Sequence, residues 1–267
     1  MNKIKIVNDI IIDSSIDDSI EVTVLEKNDF FSVNSIKLKI IKDTNLEIEY
    51  NSDDDVKIDI FINVFENVNF NLFEHRSGHK TKVQYKYYLE ENSYSKINKF
   101  YTSDSVQELD IINLNGVGAQ IDYNFKTIST GCEKYDLMIY HNYRNTVSNI
   151  NNNGVNIKDG SLVFNITSIV LNDKKGCLLN QNNRIVNLNN NKCEVNPNLL
   201  VEENDVEANH SALIGRFSDE EMFYLQSRGI SETLALNLLI KGFLIDGLTI
   251  DDDQKSRVNQ IIDNYWR

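Results

Sequence analysis

From Met1 to about Cys193 the chain repeats one local pattern: short runs of alternating apolar and polar residues, closed by Asn, Asp and Gly. Ile36-Lys37-Leu38-Lys39-Ile40 and Val56-Lys57-Ile58-Asp59-Ile60 put apolar and polar side chains on opposite faces, as a strand of period two requires. The runs from Phe61 to Phe65 and from Val68 to Leu72 continue it. Further runs follow from Glu108 to Leu114, Ala119 to Ile128, Asp136 to Tyr143, Gly154 to Ile157, Ser161 to Val170 and Gly176 to Leu179. Asn-Gly, Thr-Gly, Asn-Asn-Gly, Asp-Gly and Lys-Lys-Gly separate them. These residues tolerate the positive φ of tight turns, and the chain has a single proline, Pro197. Many short, evenly spaced strands fit a sandwich, a barrel or a stacked β-solenoid. Runs such as Asn151-Asn152-Asn153 favour the solenoid, because stacked rungs can ladder asparagines, yet no fixed-length repeat is visible. Pattern alone leaves the three open.

The period then changes. Ser218 with Glu221 three residues on forms a capping box, opening a helix that bears Met222, Phe223 and Leu225. Gly229 supplies a left-handed stop. Ser231 caps a second helix with Leu234, Leu238, Leu239 and Phe243 on one stripe, ended by Gly242 or Gly247. Asp251 with Gln254 starts a third that runs to Trp266, with Val258, Ile261 and Ile262 inward. The expected organisation is a β domain over residues 1–200 and a small helical domain over 201–267.

Composition narrows the function classes. Hydrophobic residues at 41% and charged residues at 25% describe an ordinary globular chain. A net charge of -13 argues against a nucleic-acid partner, which needs a basic face. From Val201 to Arg267 there are 13 acidic residues against 6 Lys and Arg, so this part is either a solvated surface or a dock for a basic patch. No apolar run approaches the ~18 residues of a membrane span. The start lacks the features of a signal peptide, and three scattered cysteines suggest no disulfide framework; a cytoplasmic location is expected.

The chemistry-bearing residues are sparse. His75 and His79 are four apart, but Arg76-Ser77-Gly78 between them reads as a turn, and no third ligand for zinc is indicated. His141 lies at a strand position and reads as structural or surface-exposed. Cys132, Cys177 and Cys193 lack C-x-x-C spacing and read as buried small residues. The runs Asp53-Asp54-Asp55 and Asp251-Asp252-Asp253 read as solvated turns and helix starts. No nucleophile elbow, phosphate loop, dinucleotide fingerprint or H-E-x-x-H is present, so no enzyme is expected. His210 stands apart: polar residues precede it, small ones follow, and the chain turns into the first helix soon after. Its imidazole could ligate a soft metal or face a partner's thiolate, or simply be a hydrogen-bonded histidine at a junction.

Four segments taken in order, LNGVGA, YHNYRNTVSN, GSLVFNITSIV and the long stretch from Gln181 to Gly229, resemble the SufB/SufD family of iron–sulfur cluster assembly proteins. The resemblance covers the C-terminal half strongly and the N-terminal strands only by type. It implies a right-handed parallel β-helix followed by a helical C-terminal domain. It also implies a scaffold role beside a SufC-like ABC-type ATPase, with a transient Fe–S cluster at the subunit interface and no stable cofactor on the isolated chain. Where SufB proteins carry a cysteine linked to sulfur transfer, this chain has Asn182, so it is similar to SufD. Cys193 lies in the same segment, nearer Pro197. The family's interface histidine maps onto His210, the one metal or cluster ligand the resemblance suggests. Docking of the ATPase maps onto the helices from Ser218 to Phe243, with Tyr224, Arg228 and Phe243 as candidate contacts. The implied partner is a SufB-like subunit. The alternative is a homodimer that itself holds the cluster through Cys193 and His210; an unrelated β-solenoid carbohydrate-active enzyme comes third. Family members usually begin with a longer helical region, whereas strands here begin almost at Met1.

Overall fold

The computed structural model describes residues 2–8, 10–25, 34–52, 56–79 and 81–265; Asp53 to Asp55 and Trp266 lie outside them. In chain order the strands are β1 (Asn2–Val7), β2 (Ile10–Ser15), β3 (Ile20–Leu25), β4 (Asn34–Ile40), β5 (Thr44–Ser52), β6 (Val56–Val64), β7 (Asn69–Gly78), β8 (Thr81–Leu89) and β9 (Tyr94–Tyr101). They continue with β10 (Gln107–Leu114), β11 (Gln120–Ser129), β12 (Cys132–His141), β13 (Val147–Asn156), β14 (Ser161–Val170), β15 (Cys177–Asn187), β16 (Glu194–Val201) and β17 (Val206–Gly215). Helices α1 (Asp219–Gln226), α2 (Glu232–Ile245) and α3 (Asp252–Asn264) follow.

The strands deal themselves alternately into two sheets. Sheet A has the order β17-β15-β13-β11-β9-β7-β5-β1-β2, and sheet B the order β16-β14-β12-β10-β8-β6-β4-β3. Pairing is parallel throughout, except where β2 and β3 join antiparallel at the N-terminal end. This is a parallel β-helix, which settles the choice left open by alternation alone. It also explains why no repeat length shows in the sequence. Leu46, Leu72, Ile97, Tyr123, Ile150, Gln181 and His210 stack rung upon rung, at intervals of 26, 25, 26, 27, 31 and 29 residues. The strands hold register while the loops between them change length, so the columns are conserved in space and not in sequence spacing.

The core lies between the sheets, from Ile4 and Ile20 at one end to Ile185 near the other. Two readings of glycine-containing turns give way here. Asn152-Asn153-Gly154 lies inside β13, and Gly154 is needed for space: a Cβ there would meet Leu162 Cδ2 at 2.2 Å. Arg76-Ser77-Gly78 ends β7, with Arg76 fully buried.

The helices begin as their caps predict. The Ser218–Glu221 and Asp251–Gln254 boxes are both closed, and Ser231 accepts from the Leu234 amide. Gly242 is interior to α2, and Gly247 at φ +78° follows its end. α2 and α3 do not project from the rod. They fold back along sheet A, where Ile240, Phe243, Leu244, Val258 and Ile262 bury against Phe73, Phe100, Ile128, Val155, Ile157 and Val186. Arg257 on α3 fixes the far end by bonding Glu47 at 2.8 and 2.9 Å. Burial alone would push the Glu47 carboxyl up, but the bonds from Arg257 and Gln254 outweigh it and bring it to about 2. Lys126 lies beneath the helices, buried and unpaired, and desolvation lowers its ammonium to about 7. Residues 200 and 201 lie within β16, and strand continues to Gly215 before the helices begin.

Candidate functional site

Both sheets end together. β17 and β16 are the outermost strands of sheets A and B, so the last rung presents two free strand edges side by side. Partners in a parallel ladder point to the same side. Leu46, Leu72, Ile97, Tyr123, Ile150 and Gln181 all face inward and are buried, and His210 is the next member of that column. It is nonetheless exposed, because no described strand stacks above it. The same holds for Ile214, 42% exposed, while Pro197, Leu199 and Val201 of β16 are half-buried. An imidazole thus sits in an inward, largely apolar column that the rod itself leaves uncapped.

A groove of about 590 Å³ runs beside this rung on the outer face of sheet A, lined by Asn149, Asn180, Asn182, Asn209, His210 and Ser211 among others. Its floor is an amide ladder: Asn149 donates to Asp122 at 2.9 Å, Asn180 to Asn149 at 3.0 Å and Asn209 to Asn180 at 3.3 Å. Asn182 is exposed and accepts from Ser211 Oγ at 2.8 Å, one position along from the Gln181–His210 pair. Asn182 therefore lies beside the open rung.

The other candidates scatter. Cys193 is half-buried just before β16, its sulfur accepting from Asn156 Nδ2 at 3.2 Å, and burial pushes its thiol up. Asn156 pairs with Asn187, and the adjacent Val186 pairs with Gly215, so Cys193 belongs to the Gly215 end of the rung. Five residues of strand, about 17 Å, separate that end from His210. Among the described residues no three His, Cys, Asp or Glu side chains converge as a metal would need. Tyr224 is 60% exposed, with the Arg228 guanidinium 5.3 Å over its ring, on a helix that buries no residue. Phe243 is buried against Phe217 and under Arg184, so it serves the packing of α2 and offers no open contact.

A buried ionic cluster that no sequence motif marks lies halfway along the rod. Arg76 bonds Glu74 at 2.6 Å, and Lys99 bonds both Glu108 and Asp110 at 2.6 Å. Tyr85 and Tyr123 donate to Glu74 and Asp110 at 2.6 Å. Burial pushes Asp110 up to about 8 and, one rung on, Glu133 likewise. The signal was in the phase: Phe70, Leu72, Glu74 and Arg76 keep the inward beat of β7, which a turn at Arg76 would have broken. His141 is structural, bonded to Thr146 at 2.8 Å and Ser148 at 2.9 Å, with burial lowering its imidazole to about 4. Cys177 is buried as expected, but Cys132 is exposed because it faces outward at the start of β12. His75 stacks on Phe100 while His79 pairs with Asp104 at 2.6 Å, so the two do not converge.

The chain is a parallel β-helix whose last rung no described strand covers and whose helices strap along sheet A. Residues 67–243 match the SufBD core domain of the SUF system for iron–sulfur cluster assembly, more than half of the chain, and the chain belongs to that family. It is 41% identical over 71 residues to the iron–sulfur cluster assembly protein SufD of Bacillus subtilis, which covers 26% of this chain and 16% of that one. It is 52% identical over 48 residues to a SufBD family protein of Mycobacterium leprae, covering 18% and 12%. Against SufD of Escherichia coli the figures are 40% over 50 residues, 19% and 12%. The matched stretches thus span a small fraction of those relatives. No described helix is long and apolar enough to cross a membrane.

Proposed function

We propose that the chain is a SufD-like, non-catalytic scaffold subunit that pairs with a SufB-like subunit through its last rung and receives a SufC-like ATPase on α1. The observation that carries this is His210: an inward-column imidazole left exposed at the end of two free strand edges. A partner strand laid on β17 would bond the free backbone edge and bury the column, the usual outcome for an open edge. The nascent Fe–S cluster, as cargo, would take one ligand from His210 and the rest from the partner, since among the described residues no three His, Cys, Asp or Glu side chains converge. Asn182 in place of a thiol supports the SufD-like reading. The separation of Cys193 from His210 weighs against a cluster held by both within one chain.

α1 supports the docking role because Phe223, 72% exposed, and Tyr224 stand on a helix that buries nothing. Movement of a bound ATPase would pull on the helices and strain the paired rungs, altering access to the cluster ligand. The mass of the complex purified after co-expression with a SufC-like ATPase and a SufB-like protein tests the reading. A ternary complex lost on Ile214→Asp is expected. Recovery of neither partner would overturn it, and a stable homodimer that binds a cluster alone would replace it with the homodimeric alternative.

A further inference from the structure

The outer face of sheet B is a second surface, remote from the last rung. The helices cover sheet A, and no described element lies over sheet B. In a chain of net charge -13, the outward positions of β4 to β12 carry six lysines against two carboxylates, Asp59 and Asp136. Lys39 is neutralised by Glu21 at 3.0 Å and Lys134 by Asp136 at 2.9 Å. Lys57 and Lys82 stand directly opposite each other on neighbouring strands, and neither is among the ion pairs of the described residues. Like charges opposed in a sheet are destabilising, so this pair works against the fold unless an anion joins it. The two lysines, with Lys134, rim a cavity of about 440 Å³ whose floor includes Val83 and Leu109. Beside it Lys37 and Lys86 hold their ammonium groups 5.7 and 5.4 Å from the Phe61 ring, in register above and below it. Ile111 and Met138 continue that column, half-buried and uncovered.

We propose that this face binds an acidic amphipathic segment of another polypeptide, its carboxylates bridging Lys57 and Lys82 and its apolar side chains resting on Leu109, Ile111 and Met138. The mixture selects the partner. Carboxylates answer the unpaired lysines, and the apolar strip needs a side chain that a nucleic-acid backbone lacks. The acidic remainder of the molecule repels extended polyanions and anionic bilayers, whereas a short segment meets only the lysine face.

The probe is a fluorescent helical peptide of about 16 residues with glutamates on one face and leucines on the other, titrated by anisotropy against the full chain. Saturable binding is expected, weakened roughly tenfold or more by the double change Lys57→Glu with Lys82→Glu and by raising salt from about 50 to about 300 mM. Met138→Ser should weaken it without changing its salt dependence. These positions are exposed or half-buried, and an unchanged unfolding midpoint establishes that each variant folds. Absence of binding, or binding indifferent to the lysine reversal, would overturn the proposal. So would tighter binding of phosphatidylglycerol vesicles or single-stranded DNA that the same reversal abolishes. None of these outcomes depends on the terminal rung, so the two proposals stand or fall apart.

Discussion

The middle of the rod and its last rung use the same inward columns to opposite ends. Glu74, Lys99 and Phe125 occupy one column, and Asn183 and Ala212 continue it to the open end. At mid-rod the neighbours above and below seal five charged groups completely, and every charge must find its partner inside. At the end the same geometry leaves His210 in solvent with nothing above it. Polarity inside this β-helix is therefore tolerated where rungs close over it, and is available for others where they do not. The first region is sealed by its neighbours, and the second is left open by the described strands.

Four measurements break or sharpen that contrast. Lys99→Ala should cost about 3–5 kcal/mol in denaturant unfolding, since it leaves Glu108 and Asp110 buried without their cation; a loss no larger than that of a surface lysine would mean the cluster is hydrated. Lys126→Met should stabilise the chain by about 1–3 kcal/mol by removing an unpaired buried ammonium, seen as a higher urea midpoint. Glu133 tests the sealed interior through pH. Its folded value, about 8, lies above the unfolded 4.5, so the stability from its protonated form is complete below about pH 4.5 and drains away as pH rises through 8. Glu133→Gln should flatten that fall in thermal midpoint, and an unchanged slope would assign it to Asp110 instead. His210→Ala should change monomer stability by less than about 0.5 kcal/mol, yet diminish assembly with the SufB-like partner. A large loss of monomer stability would place the ring in the core after all.

Much of the fold was legible in the alternation, and the reason for the gaps is physical. Ser161–Val170 was read residue for residue because one face is packed and the other is wet. Val147–Asn156 was read only from Gly154, since its inward positions are Ser148, Ile150, Asn152 and Gly154, so burial alternates as far as Asn152 while apolarity does not. Capping boxes at Ser218 and Asp251 are local chemistry and needed no tertiary knowledge. Whether a helix stands free or lies on the rod is not local, and α2 shows it: of the expected stripe Leu234, Leu238, Leu239 and Phe243 only Phe243 buries, while Leu234 and Leu238 are exposed and the packed face is Ala235, Ile240, Phe243 and Leu244. His210 was singled out for its surroundings and its family position, but its place in an inward column follows from the register of seven rungs. The ionic cluster lay hidden because charged residues at inward positions imitate a turn until the phase is carried through them.

The strap of α2 and α3 has a mechanical consequence. Asn153 on β13 bonds the Phe243 carbonyl at 2.8 Å, while Glu47 on β5 grips Arg257, four rung spacings or about 19 Å away. Between them the Gly247 turn sits so close to the sheet that a Cβ would meet Asn151 Nδ2 at 2.5 Å. The strap is thus anchored to the middle of the rod and again towards its opposite end. Lys126 lies under the same strap, its ammonium lowered to about 7 by a desolvation that Asp246 at the end of α2 partly offsets.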